Sequence, residues 1–429
     1  MGVFAGVFMR GSPLCAAADA PASKPAQAAP VAAQATRPAS ATPATGPAPA
    51  AANTAPLISL LLPLDSADFA PAAHAVMQGC NAALDGVTPA LRRDVVRTNT
   101  NAGSVRDAWN SAAGRGASVI VGPLTRGEVG ALAVSLLKSP AEASASLPVT
   151  IALNTVDGGN TNGNAGDVDA ALPARFYSFG LPIENEARAV SNLVWAGNAR
   201  TVIVVQSKSA LGRRAGAAFA AAWMARGGRV LRVESFDVGA DLEPLRERFA
   251  MVNFSENMRD RPDAIFLAAD AAEARMARPY LGNTLPVYAT SQINDGQRDA
   301  VADLDLGGIH FVDMPWLLQP DHPAVMVYPR PPRNTGPELQ RLYALGIDAC
   351  RLAQAFATRP AAGSRIALDG VTGALGIVTD DPGRNPGRND GRGSMATRAI
   401  AREPMAAVFV SGAGIAVEGG EAGSGGPAR

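Results

Sequence analysis

Short apolar runs alternate along this chain with longer stretches in which apolar residues recur every three or four positions. The first run, Leu57–Leu64, is followed by Asp65 and Ser66 and then by a helical pattern from Pro71 to Leu84. The run is too short to cross a membrane and too continuous for a half-exposed strand. It therefore predicts a parallel strand at the centre of a sheet, covered on both faces.

The same layout repeats in the residues that follow. Further strands are predicted at Arg93–Thr98, Ser118–Leu124 and Leu147–Asn154, with helices at Val105–Arg115 and Arg126–Lys138. A Gly- and Asn-rich segment, 157–169, then predicts a surface loop. These elements form a first strand–helix series.

A second series begins at Phe176. Its predicted strands are Phe176–Phe179, Thr201–Gln206, Arg229–Phe236, Asp263–Ala269 and Leu285–Ala289. Its predicted helices are Glu184–Trp195, Leu211–Arg226, Leu242–Phe254 and Ala271–Leu281. A long helix at Pro337–Thr358 precedes strand-like segments at Arg365–Leu368, Gly373–Thr379, Ala396–Ala401 and Met405–Val410. Alternation of this kind with right-handed crossovers predicts an α/β protein of two lobes, each a doubly wound, mostly parallel sheet with helices on both faces.

The ends of the chain have a different composition. Residues 1–20 predict an export signal, because an apolar run is followed by small residues around Cys15, although no charged segment precedes the run. A start codon placed too far downstream would explain that. Cleavage without a lipid and lipid attachment to Cys15 both stay open, since Leu14 is not the small residue that a lipoprotein signal needs before its cysteine. The Ala/Pro-rich residues 21–56 predict a disordered linker, and the Gly-rich residues 411–429 predict a disordered tail.

Composition excludes several classes of partner. The formal net charge is +0, so nothing favours nucleic acid or an anionic membrane surface as a binding partner. The protein is expected to contact a membrane only through a lipid on Cys15. The three cysteines are too few and too scattered for a disulfide framework or a zinc site. Cys80 and Cys350 lie in apolar helical patterns, which favours two buried free thiols over a bridge between them.

The sequence lacks the common catalytic and cofactor motifs. No phosphate-binding loop, dinucleotide fingerprint or nucleophile elbow is present, and the three histidines have no metal-ligand spacing. Ser135–Lys138 fits the S-x-x-K motif of penicillin-binding enzymes, but the companion K-T-G is missing. We therefore predict neither catalysis nor a bound metal or cofactor.

Polar residues at the ends of the predicted strands are the best candidates for a ligand site, because ligands of doubly wound sheets bind outside the carboxyl ends of the strands. Gly122–Thr125 ends a strand and opens a helix, so its backbone N–H groups could hold an anion. Each residue alone is more often a helix cap or a turn. As a set, the predicted cleft residues are Asp65, Ser66, Gly122, Leu124, Thr125, Asn154, Ser207, Ser209, Asp270, Thr290 and Ser291.

Several short motifs follow one another in a characteristic order. They are Leu61–Leu64, Gln78-Gly79, Val121–Leu124 and Ala152–Asn154 in the first series, Phe179–Leu181, Glu184–Ala187 and Ser209–Gly212 in the second, and Tyr288–Ser291, Asp313–Leu317, Leu342–Ala349 and Leu368–Gly373 after it. From about Leu57 to Val410 the chain resembles the penicillin-binding protein activator family, the LppC-type lipoproteins.

The resemblance implies a type I periplasmic-binding-protein fold whose lobes are joined by three crossings of the chain. By analogy, lobe 1 comprises 57–179 and 290–362, and lobe 2 comprises 180–289 and 363–410. The Enterobacterial-type relatives are outer-membrane lipoproteins that stimulate a class A penicillin-binding protein, a peptidoglycan synthase, and that carry a helical-repeat domain ahead of this one. The expected function is a non-catalytic regulator of peptidoglycan synthesis in the periplasm, with a cleft that could also bind a small molecule.

One alternative is a periplasmic solute receptor of an ABC transporter for an amino acid or a small acid, similar to leucine/isoleucine/valine-binding proteins. In that case the helix start at Gly122–Thr125 would hold the α-carboxylate of an amino acid, and an acidic group such as Asp270 would hold its ammonium group.

Overall fold

The computed structural model describes residues 55–87, 91–138, 147–156, 172–237, 239, 241–252, 261–296, 303–332, 334–379 and 398–418. The predicted export signal and almost all of the linker lie outside these residues.

The elements follow the predicted alternation. The first series is β1 (Leu57–Leu62), α1 (Ala70–Leu84), β2 (Arg92–Arg97), α2 (Ala102–Gly114), β3 (Ala117–Val121), α3 (Arg126–Leu137), β4 (Val149–Ala152) and β5 (Phe176–Ser178). The second is α4 (Ile183–Ala196), β6 (Thr201–Ser207), α5 (Ala210–Ala225), β7 (Arg229–Phe236), α6 (Glu243–Val252), β8 (Ala264–Ala268), α7 (Ala271–Ala277), β9 (Val287–Ala289) and β10 (Ile309–Asp313). The remainder is α8 (Pro315–Leu318), α9 (Pro323–Met326), α10 (Pro337–Ala357), β11 (Arg365–Asp369), β12 (Ala374–Val378), β13 (Ala401–Glu403), β14 (Met405–Val410) and β15 (Gly414–Val417).

The strands of the described chain form two large sheets and one small one. In the first lobe, a five-stranded parallel sheet has the order β2-β1-β3-β4-β5. In the second, a seven-stranded sheet has the order β15-β14-β10-β9-β8-β6-β7 and is antiparallel only at β14 and β15. The small sheet, β11-β12-β13, is antiparallel. The predicted two-lobed α/β fold with mostly parallel sheets is confirmed.

The central strands are buried on both faces, as their continuous apolar runs predict. Ile58, Leu60 and Leu62 of β1 point into the core beneath α1 and α10, whereas Leu57 and Leu61 pack on the opposite face. The strand β6 alternates in the same way between two cores. This period of two follows from the pleat of a β-strand.

The closest helix contact in the first lobe joins α1 to α10. A Cβ placed on Gly79 would lie 1.9 Å from the carbonyl oxygen of Tyr343, and one on Gly346 would lie 2.1 Å from that of Val76. Glycine at both positions therefore lets the two helix backbones touch. Close to this contact, Cys80 and Cys350 form a disulfide with a Cα–Cα distance of 5.2 Å.

The disulfide corrects the expectation of two free thiols. Both cysteines are fully buried, as predicted, but the sequence does not show that α1 and α10 approach closely enough to bring them together. Their separation of 270 residues hides this pairing from any local pattern.

The predicted lobe boundaries are also wrong in part. Residues 290–362 were assigned to lobe 1, but β10 pairs with β9 in the second sheet, so this crossing comes after Asp313. Residues 363–410 were assigned to lobe 2, but Val371, Leu375 and Ile377 pack in the first lobe's core. The last crossing therefore falls at Pro404, between β13 and β14. The reason is that Leu375 and Ile377 of β12 belong to the same core as the buried side chains of α10, a contact that the sequence pattern of β12 does not specify.

The strand β15 corrects the predicted tail. Residues 414–417 pair with β14 at the edge of the second sheet, so the tail prediction is wrong for them. Residues 419–429 lie outside the described part of the chain. No helix within the described residues combines the length and the continuous apolarity needed to cross a bilayer.

Candidate functional site

A cleft of about 350 Å³ lies where the carboxyl ends of the two sheets meet. Its first wall comes from residues that follow β3 and β4 and from the first turns of α10. Its second wall comes from the segment that enters α4 and from α5. The described lining residues are Leu124, Arg126, Leu153, Asn154, Leu181, Pro182, Ile183, Glu186, Leu211, Arg214, Gln292, Glu338, Arg341, Leu342 and Leu345.

Five of the predicted cleft residues line this space or a smaller cavity of about 130 Å³ beside it. Leu124 and Asn154 line the cleft, and Ser209, Asp270 and Thr290 line the smaller cavity. The two spaces share Ile183, Leu211 and Gln292. The predicted residues that line neither are Asp65, Ser66, Gly122, Thr125, Ser207 and Ser291.

At the carboxyl edge of the first sheet, the predicted polar residues are engaged within the protein. Thr125 caps α3: its hydroxyl accepts the N–H of Glu128 at 3.3 Å and donates to the Glu128 carboxylate at 2.9 Å. Glu128 is fully buried and also accepts the hydroxyl of Thr98 at 2.5 Å. Asn154 donates its side-chain N–H to the carbonyl of Leu124 at 3.1 Å. These contacts build the edge of the sheet.

Asp65, Ser66 and Gly122 have local roles. Asp65 forms an exposed ion pair with Arg97 at 2.6 Å, and Ser66 lies in the turn that leads into α1. Gly122 has φ +118°, and a Cβ there would lie 2.0 Å from the carbonyl oxygen of Leu61. Glycine at this position is required by the backbone conformation and by the packing of β3 against β1.

The second lobe repeats the arrangement at its own carboxyl edge. Asp270 caps α7 by accepting the N–H of Glu273 at 2.9 Å, and the Glu273 carboxylate accepts the N–H of Asp270 at 3.0 Å, which completes a capping box. Ser207 donates its hydroxyl to Glu273, and Ser209 caps α5 through the N–H of Gly212. Asp270 is therefore already used as a helix cap and is poorly placed to hold an ammonium group.

The floor of the cleft contains a buried ion pair between the lobes. Arg341 of α10 donates to Asp313, at the end of β10, at 2.9 Å. The same guanidinium donates to the carbonyls of Ser291 at 3.0 Å and Asn294 at 2.9 Å. Burial lowers the pKa of Arg341, but the adjacent Asp313 outweighs this and holds the pKa above its ordinary value. Arg341 is therefore a permanent cation that ties α10 to the second sheet.

A second buried pair lies beside the first. Glu186 of α4 accepts the backbone N–H of Ser291 at 3.2 Å and a guanidinium N–H of Arg402 at 3.4 Å. Burial raises the pKa of Glu186 above its ordinary value, against the opposing attraction of Arg402. Arg402 lies on β13, so this pair also links the first lobe to the second.

The rim of the cleft carries one more link between the lobes. Glu184 of α4 pairs with Arg214 of α5 at 2.7 Å and, across the cleft, with Arg126 of α3 at 3.8 Å. The arginines among the described cleft residues, Arg126, Arg214 and Arg341, thus each have a carboxylate partner. The charged arginine side chains of the cleft are therefore neutralised by carboxylates of the same protein.

The segment between β11 and β12 is anchored by Asp348. This fully buried carboxylate accepts the N–H of Val371 at 3.1 Å and both the N–H and the hydroxyl of Thr372 at 2.7 Å. Burial raises the pKa of Asp348, while the hydrogen bonds from Thr372 act in the opposite direction. Two of the sequence motifs, Leu342–Ala349 and Leu368–Gly373, thus meet in space for a structural reason.

Sequence reasoning missed Arg341, Asp313, Glu186 and Arg402. All but Arg402 lie within or beside the motifs quoted above, and Asp313 begins the motif Asp313–Leu317, which is the signal that could have marked it. Their pairing depends on the relative position of the lobes. No group of three or more metal-ligating side chains occurs among the described residues.

Comparison with known proteins defines the class. The sequence model of the LppC family, described as "LppC putative lipoprotein", matches residues 51–381, and the chain belongs to this family. The fold is that of the type I periplasmic-binding proteins, with two parallel-sheet lobes.

Particular relatives are penicillin-binding protein activators named LpoA. The chain is 26% identical to LpoA of Edwardsiella piscicida over 295 residues, which cover 61% of this chain and 39% of that protein. It is 26% identical to LpoA of Edwardsiella ictaluri over 350 residues, which cover 72% and 48%. The chain therefore spans about half or less of the length of these relatives.

Two solved structures align with this chain over nearly their whole length. The LpoA C-domain from Haemophilus influenzae, described as a regulator of PBP1A, aligns with a TM-score of 0.58 and 24% identity over 84% of this chain and 99% of that one. A "putative branched-chain amino acid ABC transporter" from Chromobacterium violaceum aligns with a TM-score of 0.62 and 32% identity over 82% and 99%.

Proposed function

We propose that this protein is a non-catalytic regulator of the cell envelope that binds a class A penicillin-binding protein and increases its synthesis of peptidoglycan. Membership of the LppC family and similarity to LpoA proteins support this function. The described residues have the fold of a solved LpoA C-domain, as this function requires.

The observation that carries the proposal is the buried ion pair between Arg341 and Asp313 across the lobes. A receptor that closes around a ligand needs polar groups left available to that ligand and lobes that can separate. Here the arginines of the cleft are paired, and Thr125, Ser207, Ser209 and Asp270 serve as caps or hydrogen-bond partners. This arrangement favours a scaffold, which presents a fixed outer surface to a partner protein, over a receptor that closes around a ligand.

We also propose that the protein acts in the periplasm. The disulfide between Cys80 and Cys350 supports an oxidising compartment, because such bonds form and persist there and are rare in the cytosol. Attachment to the outer membrane through a lipid on Cys15 is part of the same proposal. Mass spectrometry of the protein from membranes, with Cys15→Ala as the comparison, tests for the lipid.

The function is tested by adding the full chain to purified class A synthases of the same organism. We expect binding to one of them and a faster polymerisation of labelled lipid-linked precursor. Arg341→Met, which breaks the junction of the lobes, should reduce the stimulation. Arg97→Met, which breaks an exposed ion pair of the first lobe, should leave it unchanged. Absence of both binding and stimulation for all class A synthases would refute the proposal.

The second candidate is a solute receptor. It is favoured by the Chromobacterium violaceum structure, which is more similar in sequence than the LpoA C-domain is. A bound amino acid at a hundredfold excess over Kd would stabilise the protein by about 2.7 kcal/mol and raise Tm by several degrees. Such a shift with branched-chain amino acids, together with no effect on any synthase, would decide for the receptor.

A further inference from the structure

Each of the three segments that cross between the lobes has a buried charged residue beside the crossing. Glu186 lies in the first turn of α4, just after the crossing that follows β5. Asp313 ends β10 just before the second crossing, and Arg402 lies two residues before Pro404, where the third one falls. The side chains of these three charged residues are at most 6% exposed. The junction about which the lobes would move therefore contains charge that water hardly reaches.

The two ion pairs of this junction differ in quality. Arg341 holds Asp313 at 2.9 Å, which is the usual length of a charge-assisted hydrogen bond. Glu186 and Arg402 are 3.4 Å apart, which is long for such a bond. Arg402 also donates to the carbonyl of Thr372 at 3.2 Å, and its Nε is buried without a hydrogen-bond partner in the described part of the chain. Arg402 therefore compensates the charge of Glu186 only in part.

Other charged groups also face Glu186. Burial is the main cause that raises its pKa, and the attraction of Arg402 acts against burial. Asp313 of β10 raises this pKa further, and Arg341 of α10 lowers it. The remaining charged residues that line the cleft with Glu186 are Arg126, Arg214 and Glu338. Both of these arginines pair with Glu184, and this glutamate of α10 pairs with Arg341, so none of the three is left to compensate Glu186.

The raised pKa of Glu186 sets the direction in which protons act on the junction. A carboxylate that burial disfavours binds its proton more tightly in the closed junction than it does in water. Protonation therefore favours the closed junction, and ionisation favours an opened one in which water reaches the carboxylate. The resulting stabilisation of the closed form is complete below the ordinary glutamate pKa of about 4.3 and is lost as the pH rises through the raised value.

We propose that the junction of the lobes is a proton-sensitive hinge, in which protonated Glu186 holds the lobes closed and ionised Glu186 lets them separate more often. The pair of Arg341 with Asp313 keeps the separated form a minor one at every pH, so the closed form still presents its outer surface. This property belongs to the lobes themselves and does not depend on the proposed binding of a synthase.

Hydrogen exchange of the full chain, followed by mass spectrometry between pH 5 and pH 8, tests the proposal. Each exchange rate is divided by that of the unfolded chain at the same pH. At the start of α4 and in β13 this ratio should rise with pH, by up to about tenfold per pH unit. It should also exceed the ratio in the central strands β1 and β6 throughout, because the hinge opens without global unfolding.

Three variants assign the effect to Glu186. Glu186→Gln keeps the size of the side chain without its charge, so the ratio should stay at its low-pH value throughout. Arg402→Met removes the attraction that opposes burial, so the rise should continue to a higher pH before it levels off. Glu184→Gln is the matched control, since it makes the same change on the same helix at the exposed rim of the cleft, and it should keep the native pH profile.

Thermal unfolding at pH 5 confirms that each variant is folded before its exchange is compared. The proposal is overturned if the ratio at the junction does not change with pH or if it equals that of β1 and β6. It is also overturned if Glu186→Gln keeps the native profile, if Arg402→Met shifts the rise to lower pH or leaves it in place, or if Glu184→Gln abolishes it.

Discussion

The helix α10 is joined to the two lobes by two different kinds of contact. Against α1 in the first lobe it uses apolar side chains, a close approach at Gly79 and Gly346, and a disulfide. Against the second lobe it uses the buried ion pair of Arg341 with Asp313. Apolar burial stabilises over a wide range of geometries, whereas a buried ion pair stabilises only when both charges and their hydrogen bonds are in place. The first contact therefore provides stability and the second specifies how the lobes are oriented.

The largest expected effect comes from breaking the ionic contact on one side. Arg341→Met leaves Asp313 buried without its cation, which should cost about 3–5 kcal/mol of unfolding free energy. The double variant Arg341→Met, Asp313→Leu should recover much of this loss, because neither buried charge remains. Urea unfolding of both variants measures it. A single variant as stable as the native protein would show that the pair does not hold the lobes.

Loss of the disulfide between α1 and α10 should have the next largest effect on stability. Replacing Cys80 and Cys350 together by alanine should lower the unfolding free energy by about 2–4 kcal/mol. The reducing agent dithiothreitol should lower the stability of the native chain in the same direction and leave the double variant unchanged. Equal sensitivity of both proteins to the reductant would contradict the assignment of the disulfide.

The second buried pair, Glu186 with Arg402, should respond to pH. Because the pKa of Glu186 is raised in the folded protein, the folded state binds this proton more tightly than the unfolded state does. The resulting stability is fully present below the ordinary glutamate pKa of about 4.3 and is lost as the pH rises through the raised value, by at most about 1.4 kcal/mol per pH unit.

Urea unfolding between pH 4 and pH 8 measures this dependence, and Glu186→Gln should reduce the slope. Asp348, whose pKa is also raised, should supply the slope that remains. An unchanged slope in Glu186→Gln would mean that Glu186 is not the titrating group.

Removal of a helix cap should have a smaller effect on stability. This effect distinguishes a capping role of Thr125 and Asp270 from a role in ligand binding. Thr125→Ala and Asp270→Ala each remove a helix cap, so each should cost about 1 kcal/mol. Thermal unfolding compares them with Ser66→Ala, whose hydroxyl makes none of these capping contacts. If the cap variants matched Ser66→Ala in stability, the structural role assigned to Thr125 and Asp270 would be wrong.

The smallest effect is expected at the rim of the cleft. The pair of Arg126 with Glu184 is partly exposed and 3.8 Å long, so Arg126→Gln should change the unfolding free energy by about 0.5 kcal/mol or less. The difference should shrink further in high salt, because salt screens exposed charges. A loss comparable to that of Arg341→Met would mean that the rim, and not the floor, holds the lobes together.

Much of the fold could be read from the sequence because its signals are local. The continuous apolar runs at Leu57–Leu64 and Thr201–Gln206 predict strands buried on both faces, and the structure has them there. The strand β10 was missed because His310 interrupts its apolar run and the strand is only five residues long. The site was harder to predict. Thr125 and Asp270 were correctly placed at strand ends, where they cap helices, but the pairing of Arg341 with Asp313 joins different lobes and has no local signal.

The sequence by itself determined the alternation of most strands and helices and the family to which the chain belongs. These properties depend on residues close together along the chain, so they are written in its periodicity and motifs. Only the tertiary structure decided that Cys80 meets Cys350 and that Arg341 pairs with Asp313. Each of these contacts joins residues far apart in sequence, and the packing of α10 between the lobes is what brings them together.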